Sequence, residues 1–212
     1  MREIARDQVE AMGTLGYDQF AVVGHDRGAR CAYRIALDHR SAVTRLGVLD
    51  IVPTGDAFGR ADMDFSLGFW VWTFLAAPEP VPEQLVSRAP EVVVDHMLEE
   101  WSDDRGAFPA EVRAEYIAQF SDPERIHAIC EQYRAAATLD YRHDEAARGK
   151  RRITCPTLAL WSDTGSVADW YEPLDVWKAW ADDVSGGPVS AGHFIPEEAP
   201  DETARRLVDF LA

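Results

Sequence analysis

Lysine is nearly missing from this chain, which has 2 lysines and 19 arginines in 212 residues. The 21 basic residues are outnumbered by 37 aspartates and glutamates, so the formal net charge is −16. Such a surface repels phosphate-rich partners, which argues against binding to nucleic acid or to an anionic membrane. An arginine cluster in so acidic a protein is therefore expected to have a local purpose.

Cysteines are also few, and Cys31, Cys130 and Cys155 lie far apart. An odd number without close spacing predicts neither a disulfide framework nor a zinc site, and it suits a reducing compartment. No apolar run approaches the roughly 18 residues of a membrane span, and six charged residues occupy the first twenty positions. We therefore expect a cytoplasmic protein without a transmembrane helix or a secretory signal.

What the chain does contain is an alternation of strand and helix patterns at both ends. Near the start, the patterns predict a helix over 3–15, a strand over 20–24, a helix over 28–39 and a strand over 45–49. Near the end, they predict a strand over 157–161, a helix over 174–180, a weak strand over 184–189 and a helix over 200–211. This order is typical of a parallel α/β sheet.

Residues 57–149 break that alternation with aromatic-rich and acidic helical patterns and six prolines. The short segment Val92–Val94 is the only strand candidate there. We predict a helical cap over 57–149, inserted between strands of an α/β core that is formed by 1–56 and 150–212.

The predicted strand that begins at Phe20 is followed, after Val23, by the heptapeptide Gly24-His25-Asp26-Arg27-Gly28-Ala29-Arg30. Small residues two positions before and after Asp26 are typical of a nucleophile elbow, a strained strand-to-helix turn that lifts one side chain above the sheet. An aspartate at its apex suits displacement at a saturated carbon through a covalent ester.

Two further groups are expected at the same edge of the sheet, where the carboxyl ends of parallel strands meet. His193 is the candidate general base, and Asp50 is the candidate acid that orients it. Asp163 is a rival for the orienting role. Taken singly, Asp50 suits a turn or a helix cap and His193 a structural role, so the interpretation depends on their joint occurrence with the elbow.

Arg27 and Arg30 lie in or next to the first turn of the helix after the elbow, where the helix dipole disfavours positive side chains. Two guanidinium groups there suggest a clamp for a substrate carboxylate, which would hold the α-carbon in line with Asp26. In a chain so rich in arginine, chance placement is the alternative interpretation.

The elbow, together with Asp50 in the segment Leu49–Thr54 and with Gly192-His193-Phe194, closely resembles the haloacetate dehalogenases of the α/β-hydrolase superfamily. The resemblance implies an α/β-hydrolase core with a helical cap, Asp26 as nucleophile, and Asp50 and His193 as acid and base. It also implies that Arg27 and Arg30 bind a haloacid substrate. The expected reaction converts a haloacetate or short 2-haloacid to the 2-hydroxyacid without a metal or a cofactor.

Trp72 and Tyr133 resemble the two residues with which this family holds the departing halide. Packing in an aromatic core is the alternative role for Trp72, because aromatic residues surround it in the sequence. The family usually has a histidine immediately before this tryptophan, whereas this chain has Val71. Loss of that donor predicts that chloroacetate or bromoacetate is a better substrate than fluoroacetate.

The family's first strands have no counterpart here, since the chain starts at the helix before the elbow. We therefore expect only half of the usual sheet, with the core incomplete at its N-terminus. The strand over 20–24 would then be an exposed apolar edge, and the chain would be a fragment that aggregates or lacks activity alone. The family's common homodimer is the expected assembly. The alternative enzyme is an epoxide hydrolase with the same nucleophile, in which Tyr116, Tyr133 or Tyr141 would protonate the opening oxygen. The alternative to any enzyme is an inactive fragment.

Overall fold

One parallel sheet of four strands organises the structure, a computed structural model that describes all 212 residues. The strands lie side by side in chain order and are β1 (Phe20–His25), β2 (Val43–Leu49), β3 (Thr157–Ser162) and β4 (Val184–Val189). Each predicted strand is present within two residues of its expected bounds. β1 is an edge strand, as expected, and Val23 on it is 37% exposed.

Helices flank this sheet at both ends of the chain. They are α1 (Arg2–Thr14) and α2 (Arg27–Asp38) before β2, α11 (Ser166–Trp170) and α12 (Pro173–Trp180) after β3, and α13 (Ile195–Glu198) and α14 (Pro200–Leu211) after β4. None of the helices in the structure has the length and apolar character that a membrane crossing requires.

The segment between β2 and β3 is helical throughout. Its helices are α3 (Thr54–Gly59), α4 (Met63–Gly68), α5 (Trp70–Leu75), α6 (Val81–Val86), α7 (Pro90–Glu100), α8 (Ala110–Gln119), α9 (Pro123–Ala135) and α10 (Tyr141–Ala147). A 3₁₀ turn lies at Arg105–Ala107, and a π-helical turn at Ala136–Asp140 joins α9 to α10.

The strand candidate Val92–Val94 was wrong, because these residues lie inside α7. Pro90 occupies the first position of that helix, where its fixed φ angle and missing N–H are tolerated. Val94 and Leu98 are both buried, and their spacing of four residues follows a helical period. The β-branched composition of 92–94 was outweighed by burial along one helix face.

A buried carboxylate fastens the inserted helices to the sheet. Asp144 of α10 is fully buried and accepts hydrogen bonds from the Tyr33 hydroxyl at 2.7 Å, Arg34 Nη1 at 3.1 Å and the Gly55 N–H at 2.8 Å. Tyr33 and Arg34 belong to α2, and Gly55 belongs to α3. A buried charge satisfied in this way holds the segment after β2 against the helix that follows the elbow.

Candidate active site

Asp26 occupies the turn between β1 and α2 in a conformation that L-residues rarely adopt, with φ 43° and ψ −115°. Such a residue carries about 1–3 kcal/mol of strain. A Cβ atom on Gly24 would lie 2.3 Å from the backbone carbon of Gly28, so the close approach of strand and helix requires glycine at 24. A Cβ on Gly28 would meet open space. The expected steric need for small residues therefore holds at position 24 only.

Asp50 lies directly after β2, and it too has a positive φ, 50°. Its Oδ1 accepts the Ser162 N–H at 2.9 Å, and its Oδ2 lies 2.7 Å from His193 Nδ1. Asp163 is exposed, and its backbone N–H donates to the carbonyl of Val189. Of the two carboxylates that the sequence offered as partners for His193, Asp50 is the one in contact with it.

The surroundings of His193 and Asp26 shift the pKa of both residues. Burial lowers the pKa of His193, but the hydrogen bond and charge of Asp50, with the charge of Asp26, outweigh burial and raise it overall. Burial raises the pKa of Asp26, but the positive charges of His193 and Arg30 contribute to a net lowering. Asp26 is therefore an ionised carboxylate near neutral pH.

The backbone of His193 is held from two sides. Its N–H donates to the carbonyl of Trp101 at 2.7 Å, and the Trp101 ring meets the imidazole edge-on at 5.6 Å between centroids. The carbonyl of His193 accepts a hydrogen bond from Nε2 of His25 at 2.8 Å. Burial lowers the pKa of His25, so it acts as a neutral donor here.

Arg30 lies beside Asp26 and is 4% exposed. Its Nη1 donates to the carbonyl of Val52 and to the Thr54 hydroxyl, and its Nε lies 4.0 Å from Asp26 Oδ1. Nε itself is buried and makes no hydrogen bond with the protein. This guanidinium is therefore anchored at one end and leaves a donor unused at the other.

Arg27 directly follows Asp26 in the chain, and its guanidinium carbon lies 4.6 Å from the centre of the Tyr133 ring. Its Nη2 makes a long hydrogen bond of 3.4 Å with Gln132 Oε1, and its Nη1 is buried without a partner. Arg27 and Arg30 thus each present one unpaired buried nitrogen.

These groups surround two adjoining cavities that share Asp26, His193, Tyr133 and Trp101. The first cavity has a volume of about 170 Å³ and includes Arg30, Asp50 and Trp72 in its wall. The second cavity, about 310 Å³, is lined by Arg27 and by apolar residues of α7, α8 and α9. The structure therefore brings together the proposed triad, the two arginines and the two halide-site candidates, which are Asp26, Asp50, His193, Arg27, Arg30, Trp72 and Tyr133, although the two arginines line different cavities.

Trp72 both packs in an aromatic cluster and lines the first cavity. It is 5% exposed and packs against three phenylalanines, Phe58, Phe65 and Phe69, with the Phe69 ring stacked at 5.6 Å. It also lines the first cavity with Tyr133, whose ring centre is 6.3 Å away.

Trp72 and Tyr133 bring two hydrogen-bond donors, an indole N–H and a phenol O–H, to the wall of the first cavity. Buried rings elsewhere donate to the protein, as Trp177 does to the carbonyl of Ile51 and Tyr33 to Asp144. Trp72 and Tyr133 have no such acceptor in the protein, and both residues line the first cavity. Burial, reinforced by the charge of Asp26, raises the pKa of Tyr133 to about 12, so its hydroxyl keeps its proton.

Val71 is fully buried, and its side chain does not reach the cavity wall. The other tyrosines named from the sequence do not share the first cavity either. Tyr116 lines the second cavity and donates to Glu197 at 3.2 Å, and Tyr141 lines neither.

Trp101 and Tyr171 are aromatic residues of the first cavity that the sequence did not single out for the site. Nothing in the local sequence distinguishes them from packing aromatics, because their position depends on how distant segments meet. No three His, Cys, Asp or Glu side chains are grouped so that they could hold a metal ion.

Comparison with known proteins agrees with this architecture. The family described as the alpha/beta hydrolase fold matches residues 1–200. The chain therefore belongs to the alpha/beta hydrolase family. Among solved structures of this hydrolase family, ALR0039 from Nostoc sp PCC 7120 is 48% identical and superimposes with a TM-score of 0.96 over 100% of this chain and 72% of its own.

Curated relatives of this hydrolase include two activities. A fluoroacetate dehalogenase from Burkholderia sp is 37% identical over 212 residues, which are 100% of this chain and 69% of the relative. A soluble epoxide hydrolase from Corynebacterium sp. (strain C12) is 30% identical, with 100% of this chain and 73% of the relative covered. The resemblance to haloacetate dehalogenases read from the sequence is thus confirmed.

Proposed function

We propose that this hydrolase removes halide from a haloacetate or a short 2-haloacid through a covalent ester on Asp26. The two unpaired buried guanidinium nitrogens, Nε of Arg30 and Nη1 of Arg27, are the observation that carries the proposal. A buried donor without a partner is costly, and a substrate carboxylate beside Asp26, where the two cavities adjoin, would offer acceptors to these nitrogens. A neutral epoxide would offer them no negative charge.

In the first step, a carboxylate oxygen of Asp26 attacks the carbon that bears the halogen. The carbon–halogen bond breaks, and its electron pair leaves with the halide. Trp72 and Tyr133 stabilise the halide, because both residues line the cavity in which the negative charge develops and their N–H and O–H donors have no partner in the protein. Asp26 is ionised beforehand, so this step requires no base.

In the second step, water attacks the carbonyl carbon of the Asp26 ester. His193 accepts the proton of that water at Nε2 while its Nδ1–H donates to Asp50. The negative oxygen of the tetrahedral intermediate lies at the N-terminus of α2, where the N–H groups of the first helical turn have no acceptor within the helix. As the intermediate collapses, His193 passes its proton to the departing alkoxide oxygen, the Asp26 carboxyl loses its own proton to solvent, and the 2-hydroxyacid is released.

Oxygen labelling under single-turnover conditions tests this scheme. In ¹⁸O-water, the hydroxyl oxygen of the first product molecule should be unlabelled, because it comes from Asp26. Label in the product of the first turnover would refute the ester.

Chloroacetate and its neutral analogue chloroacetamide test the arginine clamp. Replacing Arg30 by glutamine should raise KM for chloroacetate by about tenfold or more, since hydrogen bonds to charged groups are among the stronger ones. The same change should affect the turnover of chloroacetamide much less. An equal effect on both substrates would argue against the clamp.

Epoxide hydrolysis is the second candidate, because the protonated Tyr133 hydroxyl lies in the cavity with Asp26 and could donate to an opening epoxide oxygen. Styrene oxide is a suitable probe. We expect halide release from chloroacetate and no diol from styrene oxide, since an epoxide offers Arg27 and Arg30 no negative charge. Diol formation without halide release would favour the second candidate.

A further inference from the structure

Glu198, the last residue of α13, holds four backbone N–H groups on one carboxylate. Its Oε2 accepts from Asp103 at 2.7 Å, Asp104 at 3.0 Å and Gly192 at 3.1 Å. Its Oε1 accepts from Phe194 at 3.1 Å. No arginine or lysine pairs with Glu198, so peptide dipoles alone compensate its charge.

These four contacts join two segments that are distant in the sequence. Gly192 and Phe194 are the residues on either side of His193. Asp103 and Asp104 lie just beyond Trp101, whose carbonyl accepts the N–H of His193 itself. Three consecutive N–H groups, those of residues 192, 193 and 194, are therefore fixed either by Glu198 or by the segment that Glu198 holds.

The fit of the two segments is close. A Cβ atom on Gly192 would lie 2.6 Å from the carbonyl oxygen of Trp101 and 2.7 Å from the nitrogen of Asp103. Glycine is thus required where the His193 loop meets the segment 101–104. The Thr164 hydroxyl adds a further contact by donating to Asp103 Oδ2 at 2.6 Å.

We propose that Glu198 is a positioning residue that sets the distance of His193 from the Asp26 ester by clamping the His193 loop to the segment 101–104. This role rests on the proposed function, in which His193 acts in the second step only. A glutamine at 198 would turn an NH₂ group toward N–H donors, so it would lose either the contact of Phe194 or the three contacts that Oε2 makes with both segments. Ester hydrolysis should then slow, while the attack by Asp26, which does not use His193, should continue.

The experiment follows both steps with chloroacetate by rapid quench, with chloride release reporting the first step and intact-protein mass reporting the ester. Glu198→Gln is compared with Glu202→Gln, a matched change on α14 at a residue whose only charged partner is Arg206. His193→Asn serves as the reference for a blocked second step.

We expect Glu198→Gln to accumulate the carboxymethyl ester and to hydrolyse it about tenfold or more slowly than Glu202→Gln, with a similar first-turnover chloride release. If both steps fall together and no ester accumulates, Glu198 has only a structural role and the inference is wrong. If His193→Asn accumulates no ester either, the proposed function itself fails.

Glu198→Asp covers the case in which the glutamine variant does not fold. It keeps the negative charge but is one methylene shorter, so it cannot reach both segments. The same selective loss of the second step is expected. A second step as fast as that of Glu202→Gln would overturn the inference.

Discussion

Replacing Asp50 by asparagine gives the sharpest test of the proposed division into two steps. In the structure, Asp50 accepts from the Ser162 N–H with Oδ1 and contacts His193 Nδ1 with Oδ2. Ser162 requires an acceptor, so the asparagine side chain would turn its oxygen to Ser162 and its NH₂ group to His193. Nδ1 would then have to accept a hydrogen bond, which puts the imidazole proton on Nε2.

An imidazole with its proton on Nε2 cannot take a proton from water at that atom. In the serine-protease triad, the same aspartate-to-asparagine change with intact geometry lowers kcat about 10⁴-fold. We expect a loss of similar size here, confined to ester hydrolysis. The enzyme should release about one chloride per active site and then stall as the ester.

The pH dependence of the residual hydrolysis gives a second reading of the same variant. The wild-type pKa of His193 is raised, and Asp50 supplies the main raising contributions. In the ester Asp26 carries no charge, so only Asp50 remains to raise that pKa. Because the base works in its neutral form, above its pKa, loss of Asp50 should move the acidic limb of the rate profile to lower pH.

Asp163→Asn is the matched control, since it makes the same change at the exposed carboxylate that does not contact His193. It should leave both steps unaffected. Steady turnover in Asp50→Asn at the rate of the parent enzyme, or a stalled ester in Asp163→Asn, would refute the assignment.

Three further predictions concern the cavity wall and the elbow. Trp72→Phe keeps the ring but removes the indole donor, so single-turnover halide release should slow about 10²-fold, and an unchanged rate would argue against a halide site. Val71→His supplies the donor that the resembled family has at this position and should raise the ratio of fluoroacetate to chloroacetate turnover by up to about 10²-fold, and a fluoride-release assay that shows an unchanged substrate ranking would count against it. Gly24→Ala should lower stability by about 3 kcal/mol through its clash with Gly28, whereas Gly28→Ala, in open space on a helix, should be neutral or stabilising, as thermal unfolding will show.

Most of the sheet could be predicted from the sequence because β1, β2 and β3 each contain a short apolar run bounded by turn residues. The weak strand over 184–189 was placed correctly although it contains two glycines and a proline. The exception, Val92–Val94, shows the limit of composition: valines favour strands locally, but burial of Val94 and Leu98 on one face made the segment helical.

The sequence could predict those residues of the site that directly follow a strand. Asp26, Asp50 and His193 come after β1, β2 and β4, so the topology alone brings them to one edge. Sequence could not choose between Asp50 and Asp163, since both follow strands and only the turn geometry aims Asp50 at His193. Trp101 and Glu198 could not be predicted as site residues, because their contacts join segments more than 90 residues apart.

The placement of charge suggests which residues set affinity and which set rate in the proposed reaction. Attack by Asp26 moves one negative charge from its carboxylate to the halide. The Arg30 guanidinium lies 4.0 Å from Asp26 Oδ1 and 4.4 Å from the Trp72 ring, so it stays close to that charge before and after the transfer. It therefore stabilises ground state and transition state by similar amounts, which lowers KM more than it raises kcat. Trp72 and Tyr133 find an acceptor only as the halide departs, and their donors are therefore the groups that should govern kcat.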